Sequence, residues 1–274
     1  MRLYISADME GTAGICSWAQ VDPSNLHEYP VYRRYMTREV AAAIAGAREA
    51  QACDVVVNDS HWDMRNLLWG ELPPDVRVIS GRKPLSMAQG AEQCFDAAFF
   101  TGYHSAIGAA NSVLAHTYSN EVIYNVYVNG KACTEALLNA ALLGVYGTPV
   151  VLITGDRALV EATLADLPWA EGVIVKESIG YYAANSLTPG AACDAIRRGA
   201  RNALRGNAEP FTFKPPIELV IETAGVEHAD FIELLPRFER TGGRSVRFVS
   251  DNYPDAFSAF IVAMRLGGAA NLPA

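Results

Sequence analysis

Two carboxylates one residue apart, Asp8 and Glu10, follow a short apolar segment that begins at Leu3. This segment is typical of a buried strand in a parallel sheet, whose C-terminal end would carry both carboxylates. Ligands of open α/β sheets bind at that edge. The pair suits a divalent cation, because both groups can turn to one side once the strand gives way to a loop at Gly11. Taken alone, an aspartate in this position is more often a helix cap or a turn residue.

The same pattern occurs twice more along the chain. Residues 54–61 and 97–104 are largely apolar segments, and each ends in a histidine. Carboxylate and imidazole groups together are ligands that zinc and related divalent metals accept. The sequence therefore predicts a metal site in which three strand ends supply four side chains: Asp8, Glu10, His61 and His104.

Topology is the reason to expect these ends to meet. Helix-like segments over residues 37–52 and 85–97 separate the three strands, and this βαβ alternation makes the strands parallel, with their C-terminal ends on one edge. His116 follows the third strand by only a few residues and should lie near His104. The other two histidines, His27 and His228, are interpreted as an exposed loop residue and an ordinary helix residue.

Charge and composition exclude several classes of protein. The 274 residues carry a net charge of -8, and they show no basic stripe that could bind nucleic acid. No signal peptide and no apolar run of membrane-spanning length is present, so we expect a cytoplasmic protein without a membrane partner. The five cysteines are scattered without CxxC spacing, which predicts buried, reduced thiols. Dinucleotide-fold, P-loop, nucleophile-elbow and HExxH motifs are absent.

Chain organisation indicates an α/β protein in two parts. Residues 1–206 alternate strands and helices, which predicts a three-layer domain around a mostly parallel sheet. The proline-rich segment 206–216 has no periodicity and is the best candidate for a linker. Residues 207–274 then form strand, helix, strand and helix, which predicts a smaller C-terminal α+β subdomain of two layers. Glu135, behind a possible Thr134 cap, is interpreted from its spacing as a first-turn carboxylate favoured by the helix dipole.

At this point the sequence resembles a known family, the D-aminopeptidase (dipeptide transport protein A) family of zinc metallopeptidases. The resemblance extends over nearly the whole chain in order and spacing, and its blocks together are far more specific than any one alone. They are Ser6–Gly11, Asn58–His61, Gly102–His104, His116, and Glu135 with Leu138–Ala140 behind it.

This resemblance implies an aminopeptidase that removes N-terminal amino acids, D-residues such as D-Ala in particular, from short peptides. It implies two zinc ions per subunit, with Asp8 as bridging ligand and a catalytic histidine, His116, acting as general acid/base or as nucleophile. It also implies a homodecamer of two stacked five-fold rings with active sites facing an inner channel. The remaining zinc ligands that it implies are Glu10, His61, His104 and Glu135.

The chemistry of these residues agrees with that implication. Three carboxylates and two imidazoles carry a charge of about -3, against +4 for two zinc ions, which leaves room for a hydroxide nucleophile. Two alternatives stay open at this stage. One is a metal-dependent hydrolase of another amide, an ester or a phosphoester, and the other is a non-catalytic peptide-binding protein. Asn58 and Asp59 are expected either to orient the histidines or to cap strand ends.

Overall fold

The computed structural model of the protein describes residues 1–52 and 54–271. Its strands are β1 (Arg2–Ala7), β2 (Asp54–Asp59), β3 (Arg77–Ile79), β4 (Ala97–Tyr103), β5 (Ile123–Val128), β6 (Lys131–Ala132), β7 (Val150–Asp156), β8 (Glu171–Gly180), β9 (Ala183–Ser186), β10 (Ile217–Thr223), β11 (Glu239–Gly242) and β12 (Ser245–Ser250). Its α-helices are α1 (Trp18–Val21), α2 (Tyr29–Glu49), α3 (Glu135–Val145), α4 (Arg157–Asp166), α5 (Pro189–Ala203), α6 (Val226–Ile232) and α7 (Tyr253–Gly267).

The larger sheet has the order β3-β2-β1-β4-β7-β8-β9. Its neighbours pair in parallel, except that β9 runs antiparallel to β8 at one edge. The smaller sheet is antiparallel, in the order β11-β12-β10-β5-β6. A mostly parallel α/β sheet with a smaller antiparallel α+β part confirms the predicted fold class.

Both faces of the larger sheet are covered. Leu3 and Ile5 of β1 pack into a cluster with α2 and α5, while Tyr4 packs into the cluster on the opposite face, which includes α3 and the smaller sheet. Alternate side chains of a strand point to opposite faces, so a central strand covered on both sides must be apolar throughout. This explains the continuous apolar segments that precede the predicted ligands.

The smaller sheet also contains strands that come before residue 206. β5 and β6 lie well before that point, yet β5 pairs with β10 in the smaller sheet, with Val126 opposite Ile221. The smaller part is therefore built from two separate stretches of the chain, whereas the expected division assigned it to residues 207–274 alone.

Two predicted helices differ in the structure. α2 starts at Tyr29, earlier than the expected residue 37, with Pro30 in its first turn, where proline is well tolerated. No α-helix forms over 85–97, where two short 3₁₀ turns occur instead. Gly90 has φ +93° there, and the carbonyl of Met87 accepts a hydrogen bond from the Asn58 side chain (2.7 Å) rather than from a following helical turn.

The cysteines differ in their exposure to solvent. Cys133 is buried and Cys16 and Cys193 are partly buried, all as free thiols. Cys94 is free but exposed, which corrects the prediction of burial, and Cys53 lies outside the described residues.

Within the described part of the chain, no helix is both long enough and apolar enough to cross a bilayer.

Candidate metal centre

Three strand ends of the larger sheet meet at one edge. β1 pairs in parallel with β2 and β4, so that Ala7 lies opposite Asp59 on one side and Thr101 on the other. An acidic pair follows β1, and a histidine follows each neighbouring strand. The structure thus brings together the four side chains that the sequence predicted to converge, all of them buried: Asp8, Glu10, His61 and His104.

Close packing of two backbones holds the acidic loop in place. Gly102 has φ +68°, and a Cβ atom at this position would lie 2.2 Å from the carbonyl oxygen of Asp8. The amide of Asp8 donates to the carbonyl of Thr101 (2.8 Å), and that of Gly11 donates to the carbonyl of Gly102 (2.7 Å). Only glycine at position 102 permits this approach without displacing Asp8.

Two further side chains reach the same point from other elements. Thr134 caps α3, and Glu135 is the first residue of that helix. The Glu135 carboxylate lies 3.6 Å from Nε2 of His104, so this residue is both a first-turn acid and a member of the cluster. His116 lies on the loop after β4, where its amide donates to the carbonyl of Ser105 (3.2 Å) and its Nε2 is 3.9 Å from Glu135.

Backbone carbonyl groups fix the orientation of the three imidazoles. A carbonyl only accepts hydrogen bonds, so the ring nitrogen facing it carries the proton. The second nitrogen of each ring then faces the carboxylates, which is the arrangement typical of metal-binding histidines. The donors and acceptors are His61 Nε2 to Val21 (2.8 Å), His104 Nδ1 to Ser105 (2.9 Å) and His116 Nδ1 to Leu114 (2.9 Å).

Asp8 lies between two of these rings. Its Oδ1 is 3.5 Å from Nδ1 of His61, and its Oδ2 is 3.4 Å from Nε2 of His104. Glu10 approaches the first ring, with Oε2 3.0 Å from Nδ1 of His61, and Glu135 approaches the second. One oxygen of the Asp8 carboxylate therefore faces His61 and the other faces His104.

Burial of three carboxylates in one place gives them different affinities for protons. Burial and the charge of Glu10 raise the pKa of Asp8 to about 7. Burial and the charge of Asp8 raise the pKa of Glu135 well above its ordinary value. Burial acts in the same direction on Glu10, but the imidazole of His61 outweighs it and holds the pKa of Glu10 well below the ordinary value.

The histidines divide in the same way. Burial would lower the pKa of His61, but Glu10 and Asp8 outweigh that cost and raise its pKa well above the ordinary value. Burial, assisted by the neighbouring His116, lowers the pKa of His104 to about 3. Burial likewise lowers the pKa of His116. Two imidazoles are therefore neutral at pH 7 and have a ring nitrogen free to bind a metal or accept a proton.

The arrangement fits divalent metal ions. Asp8 Oδ2 and Glu10 Oε2 are buried and have no hydrogen-bond partner among the described residues. Within that part of the chain, histidines alone form ion pairs with these carboxylates, and no lysine or arginine side chain does so. Buried charge requires a counter-charge, and mixed carboxylate and imidazole ligands are those of zinc sites. Two sets of three ligand atoms lie within 4.8 Å of one another: Asp8, Glu10 and His104; and His104, His116 and Glu135.

Aromatic neighbours hold His116. Its ring stacks on that of His104 with centroids 4.1 Å apart and an angle of 8° between the planes. The ring of Trp18, in α1, contacts it edge-on at 5.3 Å. Its Nε2 is 4.0 Å from Glu10 and 3.9 Å from Glu135. The free nitrogen of His116 thus points into the space between two carboxylates.

The residues before His61 position this part of the site. The Asp59 carboxylate accepts hydrogen bonds from the backbone amides of Asn66 (2.6 Å) and Leu67 (2.8 Å), and the Asn66 side chain donates to the carbonyl of His61 (2.6 Å). Asp59 therefore orders the loop that carries His61. Asn58 instead holds the 3₁₀ turn at Met87.

Two buried charged residues beneath the acidic loop had no predicted role. Lys176, in β8, donates to the backbone carbonyls of Glu10, Thr12 (3.0 Å) and Ile15 (2.8 Å). Glu39, in α2, accepts from the amide of Ala13 (2.9 Å). The available signal was the occurrence of a charged residue within an apolar strand or helix face, since such residues are rarely buried without partners.

The other two histidines lie outside the cluster. His27 is exposed. His228 is buried in α6, where its Nδ1 donates to the carbonyl of Gly267 (2.9 Å) and its Nε2 lies 3.7 Å from the largely exposed Glu227.

A pocket of about 530 Å³ opens above the cluster. Such a volume is typical of small-molecule sites. The floor of the pocket is formed by five members of the cluster: Asp8, Glu10, His61, His116 and Glu135. The remaining lining residues include Trp18, Trp62, Arg82, Met87, Tyr118, Glu121 and Arg265.

Comparisons with known proteins point to one family. The sequence model of D-aminopeptidase matches residues 1–262. A D-aminopeptidase of Bacillus subtilis (strain 168) is 33% identical over 273 residues, which cover 97% of each chain. A solved structure, described as the Zn-dependent D-aminopeptidase DppA from Bacillus subtilis, a self-compartmentalizing protease, is similar with a TM-score of 0.92 and 32% identity over 97% of this chain and 98% of that one.

Proposed function

This chain belongs to the D-aminopeptidase family, and from that membership we propose a zinc-dependent aminopeptidase that releases N-terminal D-amino acids from short peptides. Its reaction class is hydrolysis of a peptide bond. The zinc dependence stated for the similar Bacillus subtilis structure and the buried carboxylate and imidazole cluster both support the assignment of the metal.

The observation that carries the proposal is the position of Asp8 between two groups of ligands. One group is Asp8 Oδ1 with Glu10 and His61, and the other is Asp8 Oδ2 with His104 and Glu135. A carboxylate that bridges two metals presents one oxygen to each. We therefore assign two zinc ions per subunit, with Asp8 as the shared ligand.

His116 is the residue best suited to move protons. Its Nδ1 proton is engaged by Leu114, and burial keeps the ring neutral at pH 7, so Nε2 can accept a proton. When bound, the zinc ions supply Lewis acidity towards the scissile carbonyl and activate the attacking water at neutral pH. In this scheme Nε2 of His116 takes the proton of that water and returns it to the leaving amine, which is general base and then general acid catalysis.

The geometry also permits His116 to act as a ligand, because its Nε2 belongs to one of the two sets of closely spaced ligand atoms. The stacking of His116 on His104 and its contact with Trp18 favour a fixed proton carrier beside the metals. Metal content after replacement of His116 distinguishes these roles. Replacement of a metal ligand lowers the metal content, whereas replacement of a proton carrier leaves it unchanged.

We also propose that the chain assembles into a homodecamer of two five-fold rings, as the family resemblance implies. The similar solved structure is described as self-compartmentalizing, which supports an oligomer that encloses its active sites. Light scattering on the purified protein tests the number of subunits, and a mass ten times that of the chain is expected. The cytoplasmic location expected from the sequence stays a prediction.

Metal content and hydrolysis, measured together, test the function. The assay uses purified protein with D-Ala and L-Ala p-nitroanilides, before and after chelation, and then after zinc is restored. About two zinc ions per chain and chelator-sensitive cleavage of the D-substrate are expected. Metal without cleavage of either substrate would move the function to another amide, an ester or a phosphoester, and an aryl phosphate tests the last. Absence of bound metal would contradict the assignment of the site.

A further inference from the structure

Charge is distributed unevenly along the pocket. Its floor consists of the buried carboxylates and imidazoles, whereas two exposed arginines, Arg82 and Arg265, line it further out. These two arginines come from different parts of the fold. Arg82 follows β3 of the larger sheet, and Arg265 lies in the last turn of α7, which packs on the smaller sheet.

Neither guanidinium has a hydrogen bond or ion pair with any residue in 1–52 or 54–271. This is unusual among the arginines of the described chain, most of which are engaged. Those that form ion pairs include Arg2, Arg34, Arg48, Arg77, Arg157, Arg197, Arg237, Arg240 and Arg247. The two pocket arginines therefore keep their planar donor groups free for a ligand.

Acidic residues at the same opening do not neutralise these arginines. Asp63 and Glu121 also line the pocket, but Asp63 is paired with Arg65 and Glu121 accepts a hydrogen bond from Asn271 (3.3 Å). Arg65 offsets the charge of Asp63, and Glu121 forms no ion pair with either pocket arginine among the described residues. An anionic group that enters the pocket would meet two unpaired guanidinium groups.

The backbone beneath Arg82 is held firmly. The amide of Gly81 donates to the carbonyl of Met64 (2.7 Å), and the buried ammonium of Lys83 donates to the carbonyl of Asp59 (2.5 Å). Arg82 is therefore anchored to the same strand end that carries His61. Arg265 stands next to Met264, which also lines the pocket.

We propose that Arg82 and Arg265 bind the C-terminal carboxylate of a short peptide whose N-terminal residue lies at the metal centre. This inference rests on the proposed aminopeptidase function. Guanidinium groups bind carboxylates through paired, charge-assisted hydrogen bonds. Each added residue of an extended peptide moves its carboxylate about 3.5 Å further from the cleaved bond. Two arginines in the pocket wall therefore favour short peptides whose carboxylate reaches them over longer peptides.

The test compares two substrates that differ only in their C-terminal group, D-Ala-D-Ala and its C-terminal amide. The zinc-loaded protein should cleave the free acid with a kcat/KM at least about 10-fold higher, the typical contribution of a hydrogen bond to a charged group. Arg82→Gln and Arg265→Gln should each reduce this ratio towards one, chiefly through KM of the free acid. Arg82→Lys should restore part of it, because the charge stays but the paired geometry is lost.

Arg198→Gln is the matched control, since Arg198 is an exposed arginine of helix α5 outside the pocket. It should keep the wild-type ratio and the wild-type zinc content. Equal kcat/KM for the acid and the amide in wild type, or an unchanged ratio in both pocket variants, would overturn the inference while cleavage of D-Ala p-nitroanilide still supports the function. Failure to cleave any of the three substrates would overturn both.

Discussion

Two regions of this protein bury a histidine beside a glutamate, and only one of them is built to bind metal. At the edge of the larger sheet, His61 lies 3.0 Å from Glu10 with a second carboxylate at 3.5 Å. In the corner between α6 and α7, His228 lies 3.7 Å from Glu227, and no other carboxylate pairs with it among the described residues. Each histidine also donates to a backbone carbonyl.

The difference lies in the burial of the acid. Glu10 is almost fully buried, whereas the Glu227 side chain is 61% exposed. Water screens an exposed carboxylate, so its pair with His228 contributes little. Three carboxylates removed from water next to one another must bind protons or cations. The comparison teaches that a histidine and an acid make a metal site only where several carboxylates share one buried space, and four substitutions test this conclusion.

Asp8→Asn should have the largest effect, because among the described residues Asp8 alone pairs with both His61 and His104. We expect loss of bound zinc at both positions and a decrease in kcat/KM of at least about 1,000-fold, since metal catalysis contributes several kcal/mol. Zinc content and D-Ala p-nitroanilide hydrolysis are the measurements. A variant that keeps two zinc ions would show that the two groups of ligands do not depend on a shared carboxylate.

His116→Ala separates proton transfer from metal binding within the same region. Activity should decrease by about 100-fold or more, the usual contribution of an acid/base group, while zinc content stays near that of the wild type. Zinc analysis alongside single-turnover hydrolysis checks both quantities. Retained activity would remove His116 from the mechanism, and loss of one zinc ion would identify it as a ligand.

Glu39→Gln examines a buried carboxylate that has no histidine partner. Burial raises the pKa of Glu39 to about 7, well above its value in an unfolded chain. The folded protein therefore binds more protons than the unfolded chain between about pH 4 and pH 7, and wild-type stability is lost as the pH rises through that range. The variant lacks the titrating carboxyl group at position 39. Its free energy of unfolding relative to that of the wild type should therefore increase by roughly 2–3 kcal/mol from pH 5 to pH 8.

Denaturant unfolding of both proteins at the two pH values gives this difference, in which the titration of all other groups cancels. A stability difference that does not change with pH would mean that Glu39 is ionised in the folded protein at pH 5 and that a cation, Lys176 being the nearest candidate, compensates its charge.

His228→Phe should have the smallest effect. The change replaces the imidazole with another aromatic ring and leaves the carbonyl of Gly267 without its donor, which costs about 1–2 kcal/mol of stability. Zinc content and kcat/KM should equal those of the wild type. Thermal unfolding measures the first expectation and the D-Ala p-nitroanilide assay the second. Loss of zinc from this variant would contradict the distinction drawn between the two regions.

The sequence by itself was enough to predict that four side chains meet at one edge of the larger sheet. Asp8 and Glu10, His61, and His104 each follow an apolar strand, and a parallel sheet aligns the ends of its strands whatever the loops do. The local sequence pattern is enough for this prediction, because the alternation of strands and helices determines that neighbouring strands run in the same direction. It also indicated the mostly parallel fold, although it placed a helix over 85–97 where turns occur.

Only the tertiary structure decided how the rest of the site is completed. Glu135 looked from its spacing like an ordinary first-turn acid, and what makes it part of the cluster is the position of α3 against β4. The backbone acceptor of His61 comes from Val21, forty residues earlier, and Lys176 reaches the acidic loop from β8. Hydrophobic periodicity specifies which face of an element is buried but not which distant element covers it, so partners far apart in the chain are chosen by packing alone.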